Sequence, residues 1–300
     1  MKKSKLLSVP LALGSVASAF GGLYFYSNFV RRTKKPELRP QAAPFFDRIE
    51  QLSTEQIWSL TSFDGLALKA HYYPGTADSH VYALLVHGYH GSGHDMLPQA
   101  VHFLEKGYHV VMPDLRGHGL SDGGYVGFGY HDHLDILCWI DQIRDFDPEA
   151  SIFLLGLSMG AATVMMTSGE FLPSQVKCII EDCGYSNAYE QCRHNMKTLY
   201  HLPAFPILTV TNLVLKLKHH YTLRDASPID YVSHAMVPML FIHGDQDDFV
   251  PFSMQQPLYE ACSSAEKEML IVPDAKHAQS ETVNPDLYWS TVDAFLNKHL

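Results

Sequence analysis

The sequence predicts an α/β protein with a mostly parallel sheet and helices on both faces. Two features carry this expectation. Short apolar runs recur through most of the chain, separated by stretches of helical period, as βαβ units require. Glycines and reactive polar residues also cluster just after those runs. In an open parallel sheet that is the carboxyl edge of the strands, where ligands bind.

The elements follow in chain order. Lys2, Lys3 and Lys5 precede an uncharged, mostly apolar run from Leu6 to Val30, and Arg31, Arg32, Lys34 and Lys35 follow it. That run is long enough to span a bilayer. The expectation is a membrane anchor over residues 1–35, with membrane contact through 6–30 and the rest of the chain on an unassigned side. The competing reading is a signal peptide cleaved after Ala17-Ser18-Ala19, which would give a secreted protein. Residues 36–55, with Pro36, Pro40 and Pro44, read as a linker. Residues 57–74 read as two strands turned at Asp64-Gly65. Buried strands are expected at VYALLV, HVVMP, SIFLL, VKCIIED, VPMLFIHG and EMLIVP, with helices around 131–145 and 159–169 between them. Residues 185–230 break this rhythm with an apolar, proline-interrupted stretch.

Composition narrows the function. A net charge of −10 with no basic patch beyond the N-terminus argues against a nucleic-acid partner. Five scattered cysteines without a C-x-x-C pair read as buried or partly buried thiols rather than a disulfide framework or zinc site. No Walker motif or dinucleotide fingerprint is present, so no cofactor is expected. The stretch HDHLD (131–135) resembles metal ligands, but only His131 and Asp135 share a helix face, so a solvated helix face is expected and no metal.

Residues 156–160 read GLSMG, a G-x-S-x-G pentapeptide between an apolar strand and a helix of small residues. In that context the serine occupies a sharp strand-to-helix turn that exposes its hydroxyl. Ser158 is therefore the expected nucleophile. A hydroxyl needs a base, and the base an orienting acid. His277 follows the last strand and is the expected base. Asp247 and Asp248 follow the strand before it, and Asp182 ends an earlier one, so the acid stays open among three. The backbone N–H groups of Met159 and of Tyr89, in HGYHGSG, are the expected oxyanion donors.

Five motifs in this order resemble the α/β-hydrolase superfamily: HGYHGSG at 87–93, DLRGHGLSDG at 114–123, GLSMG at 156–160, HGDQDDFVP at 243–251 and AKHAQS at 275–280. The chain is most similar to bacterial membrane-anchored serine hydrolases of the serine-aminopeptidase-like and esterase branch. The resemblance implies an α/β-hydrolase domain over residues 56–300 with a small helical cap at about 185–230. Its D-x-x-V-P pattern implies Asp247 as the acid, which would leave Asp248 to cap a helix near Phe252. Lys276 stands before His277 where many relatives carry glycine. His87, His118 and Arg116 read as loop braces. The expected activity is hydrolysis of a small-molecule acyl ester through an acyl-enzyme. The alternatives are an aminopeptidase-like peptidase and an inactive binding protein on the same fold. Residues 1–35 are expected to be removable. Oligomeric state is not readable.

Overall fold

The computed structural model describes residues 20–32 and 42–300. Eight strands form one sheet: β1 Gln56–Thr61, β2 Ala67–Tyr73, β3 Val81–Val86, β4 His109–Pro113, β5 Ser151–Leu157, β6 Val176–Asp182, β7 Met239–Gly244 and β8 Lys267–Val272. Their spatial order is β1-β2-β4-β3-β5-β6-β7-β8. β1 and β2 form the expected antiparallel hairpin, β2 runs antiparallel to β4, and every pairing from β4 to β8 is parallel.

Among the described residues from Phe46 onward, ten α-helices cover the sheet and its carboxyl edge. They are α1 Phe46–Leu52, α2 Leu97–Glu105, α3 Asp132–Phe146, α4 Met159–Ser168, α5 Ala188–Thr198, α6 Ala204–His219, α7 Pro228–Val232, α8 Gln255–Ala261, α9 Ser280–Val283 and α10 Pro285–His299. The uninterrupted apolar strands reflect burial on both faces. Successive residues of β3 enter opposite cores. Tyr82, Leu84 and Val86 pack with the α3, α4 and α5 side, Ala83 and Leu85 with the α1, α2 and α10 side. The small residues of α4 let it lie directly on β5 and β6, and all ten of its residues are buried.

The structure corrects three expectations. No helix among the described residues is long and apolar enough to cross a membrane. Residues 20–25 are helical and a π-helical turn covers Tyr26–Val30, so this half of the expected span belongs to the globular domain. Phe25, Tyr26 and Val30 are buried in the core, with Val30 at 0% exposure. The Tyr26 hydroxyl lies 2.8 Å from His219 Nε2, and Val126 N–H donates to the Val30 carbonyl. Apolar side chains gain the same release from water against protein as against lipid, and here protein supplies the partner. The rest of the run, Leu6–Ala19, and the Ala-Ser-Ala site lie outside the described residues.

The expected linker 36–55 contains α1, whose Ile49 is fully buried against the α2 side of the sheet. The stretch at 131–135 is not a solvated face. Asp132, His133 and Asp135 are 0%, 3% and 1% exposed. The buried Arg116 explains their position: its guanidinium pairs with Asp135 at 2.7 Å and Asp64 at 2.9 Å. Asp132 accepts the N–H of Gly129, and the His131 ring meets the Tyr125 hydroxyl at 2.8 Å. Arg116 is thus a loop brace, as its motif suggested. All five cysteines are free, and four are buried.

Candidate active site

Ser158 follows β5 directly and caps the N-terminus of α4, at φ 58° and ψ −112°. A non-glycine residue there carries strain on the order of 1–3 kcal/mol. The surrounding packing holds it. The Ser158 N–H donates to the Asp182 carbonyl at 2.8 Å. The flanking glycines answer to close approach of backbone: a Cβ on Gly160 would strike the Val86 carbonyl, and one on Gly156 the Gly160 carbonyl.

Three of the expected residues meet. The Ser158 hydroxyl lies 2.8 Å from His277 Nε2, and His277 Nδ1 lies 2.7 Å from Asp247 Oδ2. An ionised carboxylate cannot donate, so Nδ1 carries the proton and Nε2 turns its lone pair to the serine. His277 sits in the loop after β8, Asp247 in the loop after β7, and the adjacency of β5, β6, β7 and β8 brings these loops to one edge.

Asp247 is fixed from both sides. Its Oδ1 accepts the N–H groups of Phe249 and Val250, at 3.0 and 2.9 Å. Burial alone would raise its carboxyl, but hydrogen bonds from His243 and His277 and their charge hold it down at about 2. His243 Nε2 lies 3.3 Å from Asp247 Oδ2, and its Nδ1 lies 3.2 Å from Gln255 Oε1. The sequence reading passed over His243. Its only signal is a histidine at the end of a buried strand four residues before the acid.

The two other candidate acids are excluded from this contact. Asp248 is exposed, and its backbone carbonyl, not its side chain, is engaged by His194 at 2.8 Å. It caps nothing near Phe252, where the short helix begins after Pro251 without a side-chain cap. Asp182 lies buried beneath the serine, and burial pushes its carboxyl up to about 6.

Ser158 opens into an apolar cavity of about 170 Å³. Tyr89 and Met159, the expected oxyanion donors, line it, together with Phe128, Met196 and Phe249. Phe25 and Phe29 of the N-terminal segment complete the wall. No acidic or basic side chain lines it among the described residues. His87 and His118 stay behind the wall as braces. His87 Nε2 accepts the Leu115 N–H, and His118 Nδ1 meets the Arg116 carbonyl.

Two clusters among the described residues approach metal-ligand spacing: Glu55, His71 and His94, and Cys183, Asp247 and His277. The second takes Asp247 and His277 from the serine–histidine–aspartate constellation and adds the buried Cys183. In the first, one Glu55 oxygen lies 2.7 Å from His71 Nδ1 and 2.8 Å from His94 Nε2. Two ligands of a tetrahedral zinc lie roughly 3.3 Å apart. The Glu55 distances are those of hydrogen bonds, and His71 gives its other nitrogen to Asp114.

Comparison with known proteins agrees with this architecture. A family model for the alpha/beta hydrolase fold matches residues 84–202. An uncharacterized Bacillus subtilis protein, YqkD, is 31% identical over 196 residues, which cover 65% of this chain and 64% of that protein. A thermostable monoacylglycerol lipase of a Bacillus species is 24% identical over 72% of this chain and 90% of its own. The Pyrococcus furiosus esterase Pf2001 shares the fold at a TM-score of 0.71 and 23% identity, covering 90% of this chain and 98% of its own. Matched family model, sheet order and strand-edge geometry agree, and the chain has the alpha/beta hydrolase fold.

Proposed function

We propose that this protein is a serine hydrolase that cleaves carboxylic esters with an apolar acyl group through an acyl-enzyme. The observation that carries the reading is the chain of contacts from Ser158 through His277 to Asp247, opening on an uncharged apolar cavity. As Ser158 Oγ bonds to the acyl carbon, its proton passes to His277 Nε2. Asp247 keeps the imidazole in the receiving tautomer and stabilises the imidazolium. The carbonyl oxygen becomes an oxyanion facing the N–H groups of Tyr89 and Met159. Collapse expels the alcohol, which takes the proton from His277. Water then loses a proton to His277, attacks the acyl-enzyme and releases the acid, and the proton returns to Ser158.

The lipase among the relatives supports an ester substrate. A peptidase that captured a free amino terminus would need a carboxylate at the cavity, and the described lining offers none. The test is a fluorophosphonate probe combined with a panel of p-nitrophenyl esters and aminoacyl p-nitroanilides. The expected outcome is labelling and ester cleavage, both lost in Ser158→Ala, with the anilides poorly cleaved. Labelling that persists in Ser158→Ala, or anilide turnover above ester turnover, overturns the reading.

A further inference from the structure

Beside the cavity at Ser158 lies a second apolar chamber of about 310 Å³. Phe25, Phe29, Met196 and Tyr200 line both spaces. Phe20, Tyr24, Leu202 and Ile207 complete the outer one, and no charged side chain lines it among the described residues. Two of the four shared side chains come from residues 20–32, far in sequence from every motif of the site.

That segment is fastened in place. The hydroxyl of Tyr89, which lines the cavity at Ser158, donates to the Phe29 carbonyl at 2.7 Å. The Phe25 and Phe29 rings stack at 4.7 Å, and Phe29 meets the edge of Tyr200 at 5.3 Å. The Thr211 hydroxyl of α6 donates to the Gly22 carbonyl. The partition itself is made of side chains able to change rotamer, including a methionine, which adapts to irregular contacts. Ligand pockets usually occupy roughly 300–1,000 Å³. The inner cavity alone, at about 170 Å³, is small for one, and the two spaces together are not.

We propose that the two chambers form one acyl-chain site, in which Phe25, Phe29, Met196 and Tyr200 control how far the chain runs from Ser158. Short acyl groups stay in the inner cavity. Long ones pass the partition and bury their methyl end between the N-terminal segment and α6. The N-terminal segment is then a specificity element, and the substrate class is a long-chain fatty acyl ester. The inference rests on the ester-hydrolase reading, and its test separates the two.

Leu202→Trp and Ile207→Trp fill the outer chamber from positions away from Ser158. Dodecanoate binding to the full-length chain and to each folded variant is measured by calorimetry under identical conditions. The ratio of kcat/KM for p-nitrophenyl dodecanoate over butyrate is measured alongside. Each methylene denied burial costs roughly fourfold in affinity. The expected result is that both variants lose about tenfold or more in dodecanoate affinity, and that the ester ratio falls with it. Two variants guard against one failing to fold. No dodecanoate binding by the full-length chain, or equal affinity in a folded variant, overturns the chamber whatever the ester data. If dodecanoate binding behaves as expected but no ester is cleaved, the chamber stands and the ester-hydrolase reading falls.

Discussion

Asp247 uses both carboxyl oxygens, one on two backbone N–H groups of its own loop and the other on His277 and His243. The loop amides aim the carboxylate, so the histidine meets a fixed acceptor. Asp182 and Asp248 lack that aim. Asp247→Asn removes the charge that stabilises the imidazolium and allows the wrong tautomer. We expect kcat to fall by roughly 10³–10⁴ with KM little changed. Asp248→Asn and Asp182→Asn should stay within about tenfold of the parent, as residues outside the proton path do. Steady-state kinetics of the three variants on one p-nitrophenyl ester decide the matter. A deeper loss at 182 or 248 would move the acid there.

At the scale of elements, α5, α6 and the N-terminal segment form a layer over the carboxyl edge. Gln191 and His194 of α5 reach the carbonyls of Phe249 and Asp248, so the helix is tied to the loop that carries Asp247. The segment 20–32 is tied in turn to Tyr89, α6 and the stretch around Val126. This reverses the expectation that residues 1–35 can be removed without consequence. Their loss would expose apolar surface beneath Phe25, Tyr26 and Val30, each such side chain contributing about 1.5–3 kcal/mol when fully buried. Deletion of residues 1–32 should lower the melting temperature by on the order of 5 °C or more. It should also abolish any preference for long acyl chains. Differential scanning fluorimetry of the shortened and full chains measures the first effect. Equal melting temperatures with equal acyl-chain profiles would make the segment a mere tether.

For the whole molecule, several carboxyls are buried with raised affinity for protons. Burial, the dominant cause in each case, pushes Glu181 up to about 8, Glu281 and Asp132 to about 7 and Asp182 to about 6. In the unfolded chain these groups lose their protons near pH 4. Between about pH 4 and 8 the native state therefore holds more protons than the unfolded one, and stability falls as pH rises through that window. Asp247 acts in the opposite sense. Its depressed carboxyl contributes stability above about pH 4 that is lost as pH falls toward 2. Thermal stability should therefore peak near pH 4 to 5, where both windows meet, and decline toward about pH 8. Glu181→Gln keeps an acceptor for the Gly184 N–H that Glu181 now binds and removes the ionisable group. It should raise the melting temperature at pH 9 and leave it nearly unchanged at pH 5. A melting temperature that climbs from pH 5 to 9 in the parent would show that these groups ionise without cost.

The sequence by itself determined the strands and their order along the chain, and it pointed to the three residues that meet at the strand edge. Buried parallel strands are written as local apolar runs, and the strained turn of Gly156-Leu157-Ser158-Met159-Gly160 tolerates few other residues, so both are legible within a few positions. Ser158 and His277 were singled out on that ground, and Asp247 through D-x-x-V-P. Only the tertiary structure decided the rest. Asp182, Asp247 and Asp248 all follow strands, and the contacts that aim the Asp247 carboxylate, two loop amides and His243, appear only in the fold. The apolar run through Val30 reads the same whether lipid or protein covers it, because the hydrophobic effect depends on area removed from water and carries no address. The acidic start of α3 reads as solvated until Arg116, distant in the chain, arrives to pair with it. Tertiary structure decided where a local pattern fits two environments, as the apolar run does for lipid or core and the acidic helix start does for water or Arg116.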